Sequence, residues 1–318
     1  MYNPRALPPP LTKPVRNILD LVGNTPMLQL TSIGGAGHAD IFVKLELLNP
    51  GGSVKDRIGI GMIARAERDG LLKKGGTIIE PTAGNTGIGL ALAGTRMGYR
   101  VILCVPEHFS VEKREVMKAL GGEVVLTPKD GGIRGAIAKA EELARGIENS
   151  YVPQQFKNPY NSETHYETTA PEIWEQMDGR IDGFVCGAGT GGTFTGVARF
   201  LRERNPGVYC VVVEPQGSAI GGGQPGPHEV EGIGSSFLPP VLDLGLADEI
   251  IMVHDAPAFA MVARLAAEEG ILGGSSSGAN LMGALQVAKK LGPGKRVVTL
   301  IPDGAERYMS KGIFTKWR

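Results

Sequence analysis

Gly183-Phe184-Val185-Cys186-Gly187-Ala188-Gly189-Thr190-Gly191-Gly192-Thr193 decides the fold class of this chain. A short apolar run at residues 184–186 breaks into a glycine-rich turn, and a helical pattern through Val197 and Phe200 follows. Apolar runs without strict alternation read as strands buried on both faces. A glycine-rich turn at a helix start offers free N–H groups to an anion, and a phosphate suits it. The turn also satisfies G-x-G-x-x-G at Gly187, Gly189 and Gly192, with Glu214 about 20 residues later. A nicotinamide-dependent oxidoreductase is therefore one reading. Against it, the fingerprint usually opens the first βαβ unit of a chain, whereas this one lies past the middle. Thr190 and Thr193 also add hydroxyl donors, which suit a terminal phosphomonoester better than a bridging pyrophosphate.

The same strand–turn–helix alternation extends in both directions. Apolar runs at residues 41–46, 77–80, 101–105, 124–127, 211–214, 250–253 and 297–301 predict further strands. Helices are expected to begin near Ser53, Asn85, Val111, Gly132, Ser162, Gly191, Pro257 and Ser277. The alternation predicts an α/β protein with mainly parallel sheets. It contains more units than one doubly wound sheet holds comfortably, so two sheets and two domains are expected. Ligands in such folds sit beyond the carboxyl ends of the strands, where the glycine-rich segments lie. Residues 1–17 carry five prolines and read as an extended, flexible arm.

Bulk composition excludes several classes. Lys plus Arg and Asp plus Glu each number 33 in 318 residues, so charge recommends neither a nucleic-acid nor a membrane partner. No segment approaches a membrane span, and no early apolar run resembles a signal peptide. Cys104, Cys186 and Cys210 lie far apart and read as reduced thiols of a cytoplasmic protein, two of them inside strands.

Three other segments carry chemistry. In Gly51-Gly52-Ser53-Val54-Lys55-Asp56-Arg57, Ser53 and Asp56 read as a capping box. That leaves Lys55 unexplained, because a lysine in a first helical turn opposes the macrodipole. The same field, with burial, favours the neutral amine that a Schiff-base lysine needs. Pro81-Thr82-Ala83-Gly84-Asn85-Thr86-Gly87 is either an anion-binding turn or a plain βα turn capped by Asn85 or Thr86. Gly273-Gly274-Ser275-Ser276-Ser277-Gly278-Ala279 precedes another helix. One of its serines is expected to cap that helix, and a hydroxyl there could also meet a heteroaromatic nitrogen.

Together these residues resemble the cysteine synthase and cystathionine β-synthase family, fold-type II enzymes that use pyridoxal 5′-phosphate (PLP). The resemblance runs from Gly23-Asn24-Thr25-Pro26 to Glu306-Arg307-Tyr308, through Gln154-Gln155-Phe156, Thr164-His165, Pro225-Gly226-Pro227-His228 and Glu231-Gly232-Ile233-Gly234. It implies that Lys55 holds PLP as a Schiff base and Asn85 bonds its 3′-oxygen. Gly189, Thr190, Gly191, Gly192 and Thr193 would cradle its phosphate, and Ser276 would face the pyridine nitrogen. Thr82, Ala83, Gly84, Asn85, Thr86 and Gln155 would hold the substrate carboxylate, with Gly232 lining the pocket. It also implies a homodimer, a mobile N-terminal domain at 48–159, and a larger PLP-binding domain from 18–47 and 160–318.

The implied reaction replaces the β-substituent of O-acetyl-L-serine, or of serine, by a thiol. Ala83 stands where the family's loop usually carries serine. A bacterial subset with this alanine, similar also at Cys104-Val105-Pro106-Glu107-His108-Phe109, is associated with making cystathionine from O-acetylserine and homocysteine. Ala83 and Glu231 favour homocysteine over sulfide as the nucleophile. No cysteine or histidine precedes His38, so no haem is expected, nor is a metal. The end at Arg318 leads us to expect no C-terminal regulatory domain.

Overall fold

A computed structural model of the chain describes residues 14–82 and 84–316. Most of the expected arm and Ala83 therefore lie outside the described residues.

The chain builds two sheets, as expected. The described residues form ten strands: β1 (Met27–Gln29), β2 (Asp40–Leu45), β3 (Thr77–Pro81), β4 (Arg100–Pro106), β5 (Glu123–Thr127), β6 (Ser150–Tyr151), β7 (Gly183–Gly187), β8 (Tyr209–Pro215), β9 (Glu249–Val253) and β10 (Arg296–Ile301). One sheet has the order β1-β2-β10-β7-β8-β9 and the other β5-β4-β3-β6. Every pairing is parallel except that of the short β1 with β2. The sequence reading missed β1 and β6. With three and two residues they are too short to carry a period.

The helices are α1 (Lys55–Arg68), α2 (Asn85–Arg96), α3 (Val111–Ala119), α4 (Gly132–Gly146), α5 (Pro159–Thr164), α6 (Ala170–Gln176), α7 (Gly192–Arg204), α8 (Asp255–Glu269) and α9 (Ser275–Leu291). A π-helical turn, His165–Thr169, joins α5 to α6.

Both sheets are covered on both faces, which explains why their strands read as unbroken apolar runs. Val185, Val211, Val213 and Val297 pack towards α8 and α9, while their neighbours Phe184, Cys210, Val212 and Val298 pack with Phe194 and Val197 of α7. The smaller sheet repeats this two-residue alternation. Ile78, Val101 and Leu103 join α1 and α2, and Ile79, Ile102 and Cys104 join α4. All three cysteines lie in strands, one more than expected, and all are buried and unpaired.

The contact that positions the site lies between α1 and α2. A Cβ on Gly89 would come within 2.5 Å of the Lys55 carbonyl oxygen, and a Cβ on Gly59 would collide with the Gly89 backbone. Only glycine lets these backbones touch, so the helix starting at Lys55 is held against the helix starting at Asn85. A buried ionic cluster then fastens α1 to the larger sheet. Arg57 bonds Glu46 at 2.7 and 2.8 Å and Glu172 at 2.7 Å, and Lys44 lies 2.8 Å from Glu172. Burial alone would raise the Glu172 carboxyl, but Arg57 and Lys44 outweigh it and hold it near about 2.

Candidate active site

Four helix N-termini meet at one pocket. Lys55 and Asn85 enter from the first turns of α1 and α2, Gly189, Thr190 and Gly191 from the turn before α7 with Thr193 from its first turn, and Ser276 from the first turn of α9. Gly232 and Ile233 lean in from a loop, and Cys186, Asp303 and several apolar residues complete the wall. The pocket lies beyond the carboxyl ends of β7 and β10, where an open parallel sheet places its ligand.

Local geometry at Lys55 departs from the expected capping box. The Ser53 hydroxyl accepts from the Lys55 N–H at 3.2 Å, two residues on rather than three. The Asp56 carboxylate reaches past Ser53 and accepts from Gly51 N–H at 2.5 Å. Ser53 instead forms a backbone bridge with Asp303, which draws the loop onto the larger sheet. Burial lowers the Lys55 pKa, with Cys186 and Asp303 acting weakly the other way. Among the described residues no carboxylate pairs with its ammonium, so the neutral amine is favoured as anticipated. Burial also pushes the neighbouring Cys186 thiol up to about 12, which leaves it protonated.

The turn before α7 is shaped for close approach to a ligand. Gly191 has φ +83°, and a Cβ on Gly189 would lie 2.5 Å from the Gly232 carbonyl oxygen. A Cβ on Gly192 would strike Asn161. Thr190 accepts from Asn161 at 3.0 Å, and the Thr193 hydroxyl lies 3.1 Å from His165 Nε2. His165 is fully buried, and burial drives its pKa well below the ordinary value, so the ring is neutral. Its π-helical turn thus braces the glycine turn, a role that only the assembled fold reveals.

Two expected helix caps are absent. Asn85 and Thr86 do not cap α2, whose N-cap is Gly84. None of the three serines caps α9, whose N-cap is Gly274. Several of their side chains are used elsewhere. Asn85 bonds Asp303 and Arg307 at 2.6 Å each, and Thr86 donates to the Gln155 amide oxygen at 2.6 Å. Ser275 accepts from Glu231 N–H at 2.9 Å, and Ser277 Oγ has no partner. A Cβ on Gly232 would lie 3.9 Å from Ser276 Oγ, so the flexible-glycine loop and the serine share one wall.

The pocket gathers Lys55, Asn85, Ser276, Gly232 and most of the glycine turn, while Gly192 stands just behind it. Thr82, Gly84, Thr86 and Gln155 do not line it, but stand together beside it around the start of α2. Ala83 is outside the described residues. Glu214, the expected ribose partner of a dinucleotide fold, accepts instead from Gly221 N–H at 3.1 and 3.2 Å and does not line this pocket.

The sequence reading missed Asp303, Lys113 and Tyr308. Asp303 follows the end of β10, and the strand-end rule alone could have marked it. Its carboxyl is buried, accepts from Asn85 and Tyr308, and is raised above the usual range by that burial. Lys113 is buried 4.3 Å from the Tyr308 ring centre and 2.9 Å from Glu231, and nothing local in the sequence signals it.

These features define a class: an α/β enzyme with a desolvated lysine facing a phosphate cradle across one pocket. Residues 18–303 match the pyridoxal-phosphate-dependent enzyme family. The chain is 51% identical over 300 residues to the O-acetylserine-dependent cystathionine β-synthase of Bacillus subtilis (strain 168), covering 94% of this chain and 98% of that one. It is 48% identical over 306 residues to the cysteine synthase of Staphylococcus aureus (strain N315), covering 95% and 98%. The crystal structure of O-acetylserine-dependent cystathionine β-synthase from Helicobacter pylori superposes with a TM-score of 0.91 at 46% identity, covering 95% of this chain and 99% of that one. The chain belongs to the pyridoxal-phosphate-dependent enzymes, in the cysteine synthase and cystathionine β-synthase group. The nicotinamide reading falls with that membership and with the placement of Glu214.

The residues present fit PLP. A lysine with a lowered pKa supplies the amine that condenses with an aldehyde, and the glycine turn supplies helix-start N–H groups and two hydroxyls for a phosphate.

Proposed function

We propose that this enzyme replaces the β-acetoxy group of O-acetyl-L-serine with a thiol, preferring homocysteine and yielding L-cystathionine. The observation that carries the β-replacement is the convergence of Lys55, the Gly189–Thr193 turn and Ser276 on one pocket. When bound, PLP supplies an electron sink for charge developing at the substrate α-carbon. Lys55 would hold the cofactor, and its neutral amine would take the substrate α-proton and later return it. Gly189, Thr190, Gly191, Gly192 and Thr193 would hold the phosphate, and Asn85 would donate to the 3′-oxygen. Ser276 would meet the pyridine nitrogen with a neutral hydroxyl, which would not enforce ring protonation as a carboxylate would and so would favour prompt loss of the β-substituent.

Thr82, Ala83, Gly84, Asn85, Thr86 and Gln155 receive the substrate carboxylate. Thr86 occupies the carbonyl end of the Gln155 amide, which leaves its N–H₂ end for an anion. Two backbone N–H groups, from Gln154 and Gln155, bond Glu80 at 2.8 and 3.1 Å and keep this turn in place. Residues 48–159 act as a mobile domain that closes when the carboxylate binds and excludes water. Two copies of the chain form a homodimer.

The preference for homocysteine is supported by the likeness to the Bacillus subtilis protein. The Staphylococcus aureus cysteine synthase supports a second reading, in which sulfide is the nucleophile and cysteine the product. Steady-state kcat/KM for sulfide and for homocysteine, each with O-acetylserine and with serine, decides between them. A protein that makes cysteine readily but no detectable cystathionine overturns the homocysteine preference.

A further inference from the structure

Arg307 does not line the pocket, yet it grips both segments that supply the pocket's key side chains. It sits in the turn after β10, and its side chain is only 10% exposed. Its Nη1 donates to Asn85 Oδ1 at 2.6 Å, and its Nη2 donates to the carbonyl oxygen of Gly51. Gly52, with φ +75°, lays its Cα against the same guanidinium, where a Cβ would collide. One planar fork therefore joins the loop leading into Lys55 to the residue that opens α2.

The fork also dictates which way the Asn85 amide faces. Arginine has donors only, so the end of the amide touching Arg307 must be its oxygen. The nitrogen end then points to Asp303, whose Oδ2 accepts at 2.6 Å and also receives the Tyr308 hydroxyl. An amide with the opposite orientation would set N–H₂ against guanidinium and oxygen against carboxylate, losing both bonds. The contact from Arg307 Nε to the exposed Glu306 is long, at 3.6 Å, so the guanidinium is engaged chiefly by the two carbonyl-type oxygens.

We propose that Arg307 is a positioning residue that holds the Asn85 amide with its N–H₂ end on the cofactor side of the pocket and fixes the Gly51–Lys55 loop relative to it. This deepens the assignment of Asn85 to the cofactor's 3′-oxygen and rests on it. Without Arg307 only the Asp303 bond fixes the amide, so the orientation that presents its oxygen becomes more populated, and that oxygen repels an oxygen ligand instead of binding it.

The test compares PLP-loaded wild type with Arg307→Gln, Arg307→Lys, Asn85→Ala and the double variant Arg307→Gln/Asn85→Ala. Three properties are measured: the visible absorption of lysine-bound PLP against pH, the PLP dissociation constant, and thermal stability. The state of the 3′-oxygen governs the visible band, so Arg307→Gln should shift the band and its pH midpoint. It should also weaken PLP binding by about tenfold, the scale of one charge-assisted hydrogen bond. Asn85→Ala should reproduce the spectral change, and the double variant should add nothing further to that spectral change, since on the 3′-oxygen both act through one amide. Arg307→Gln that melts earlier with wild-type spectrum and PLP affinity overturns the proposal, as does strict additivity of the spectral change in the double variant. If Arg307→Gln does not fold, Arg307→Lys decides. A single ammonium cannot bridge Gly51 and Asn85 as a fork does, so a wild-type spectrum and affinity there also overturn it. Wild type that binds PLP with no lysine-linked band would instead overturn the role given to Lys55.

Discussion

Lys113 of α3 lies 2.9 Å from Glu231, whose backbone continues directly into pocket-lining Gly232. The ammonium is 4% exposed and the carboxylate 19%, and Lys311 reaches the same carboxylate from the C-terminal turn. Lys113 also lies 3.6 Å from where a Cβ on Gly84 would be. One carboxylate thus ties a helix of the smaller layer, the pocket loop and the C-terminal turn together.

Glu231→Gln leaves the Lys113 ammonium buried without its counter-charge. A buried pair broken on one side costs several kcal/mol, and partial exposure of Glu231 reduces this to ~1–3 kcal/mol. The variant should melt earlier, and amides at the start of α3 should exchange faster. Unchanged exchange there would mean that Lys113 finds an equivalent partner and that Glu231 holds nothing in place.

Lys55→Ala removes both the covalent anchor and the proton-transfer amine. Borohydride reduction followed by mass spectrometry should find PLP attached to Lys55 in wild type and no attachment in the variant. Turnover should fall at least ~10³-fold, the scale for loss of a proton-transfer group. Wild-type label on any other lysine would overturn the assignment.

How much of this was legible in the sequence follows from which interactions are local. The eight longer strands were readable because both sheets are covered on both faces, which writes each strand as an apolar run. Lys55 stood out because a first-turn lysine contradicts helix electrostatics unless it has a use. The Arg307–Asn85 bond was not readable, because its partners are 222 positions apart and each looks ordinary in its own segment. The same holds for the Gly59–Gly89 contact, which appears only once two helices cross. The failed caps do not share one cause. Asn85 and Ser275 are taken up by tertiary partners at the pocket, where local rules yield to function, whereas Ser53 keeps a local bond to the Lys55 N–H and Ser277 Oγ has no partner.

Gly189→Ala tests the cradle sterically. A Cβ there would meet the Gly232 carbonyl oxygen at 2.5 Å, so backbone on one side must move. Gly234 N–H bonds the Ala188 carbonyl at 2.8 Å, so the two loops cannot separate freely. PLP affinity should fall by ~10²-fold, in line with the cost of misplacing a positioned group by about an ångström, while the melting temperature without PLP should change less. Retained PLP affinity would show that the turn is not the phosphate site.

The last prediction concerns pH and Asp56. Its carboxyl is raised to about 7, first by burial, against which the Gly51 amide and Arg307 act in the lowering direction. Oδ2 accepts from Gly51, while Oδ1 is buried with no partner, so the charged form is incompletely compensated. The sign follows from linkage. The folded protein binds this proton more tightly than the unfolded chain, whose Asp titrates near 3.8. The stability this group contributes is therefore complete below about pH 4 and is lost as pH rises through about 7. Asp56→Asn keeps an oxygen to accept from Gly51 but cannot ionise. The stability of the variant relative to wild type should therefore rise between pH 4 and 7, by on the order of 4 kcal/mol, and level off above. Taking the difference between the two proteins cancels the titration of every other carboxylate. Urea denaturation of both at saturating PLP from pH 4.5 to 8 measures it. A difference that stays constant across that range would mean Asp56 is ionised throughout, and that the Gly51 amide and nearby arginines outweigh burial.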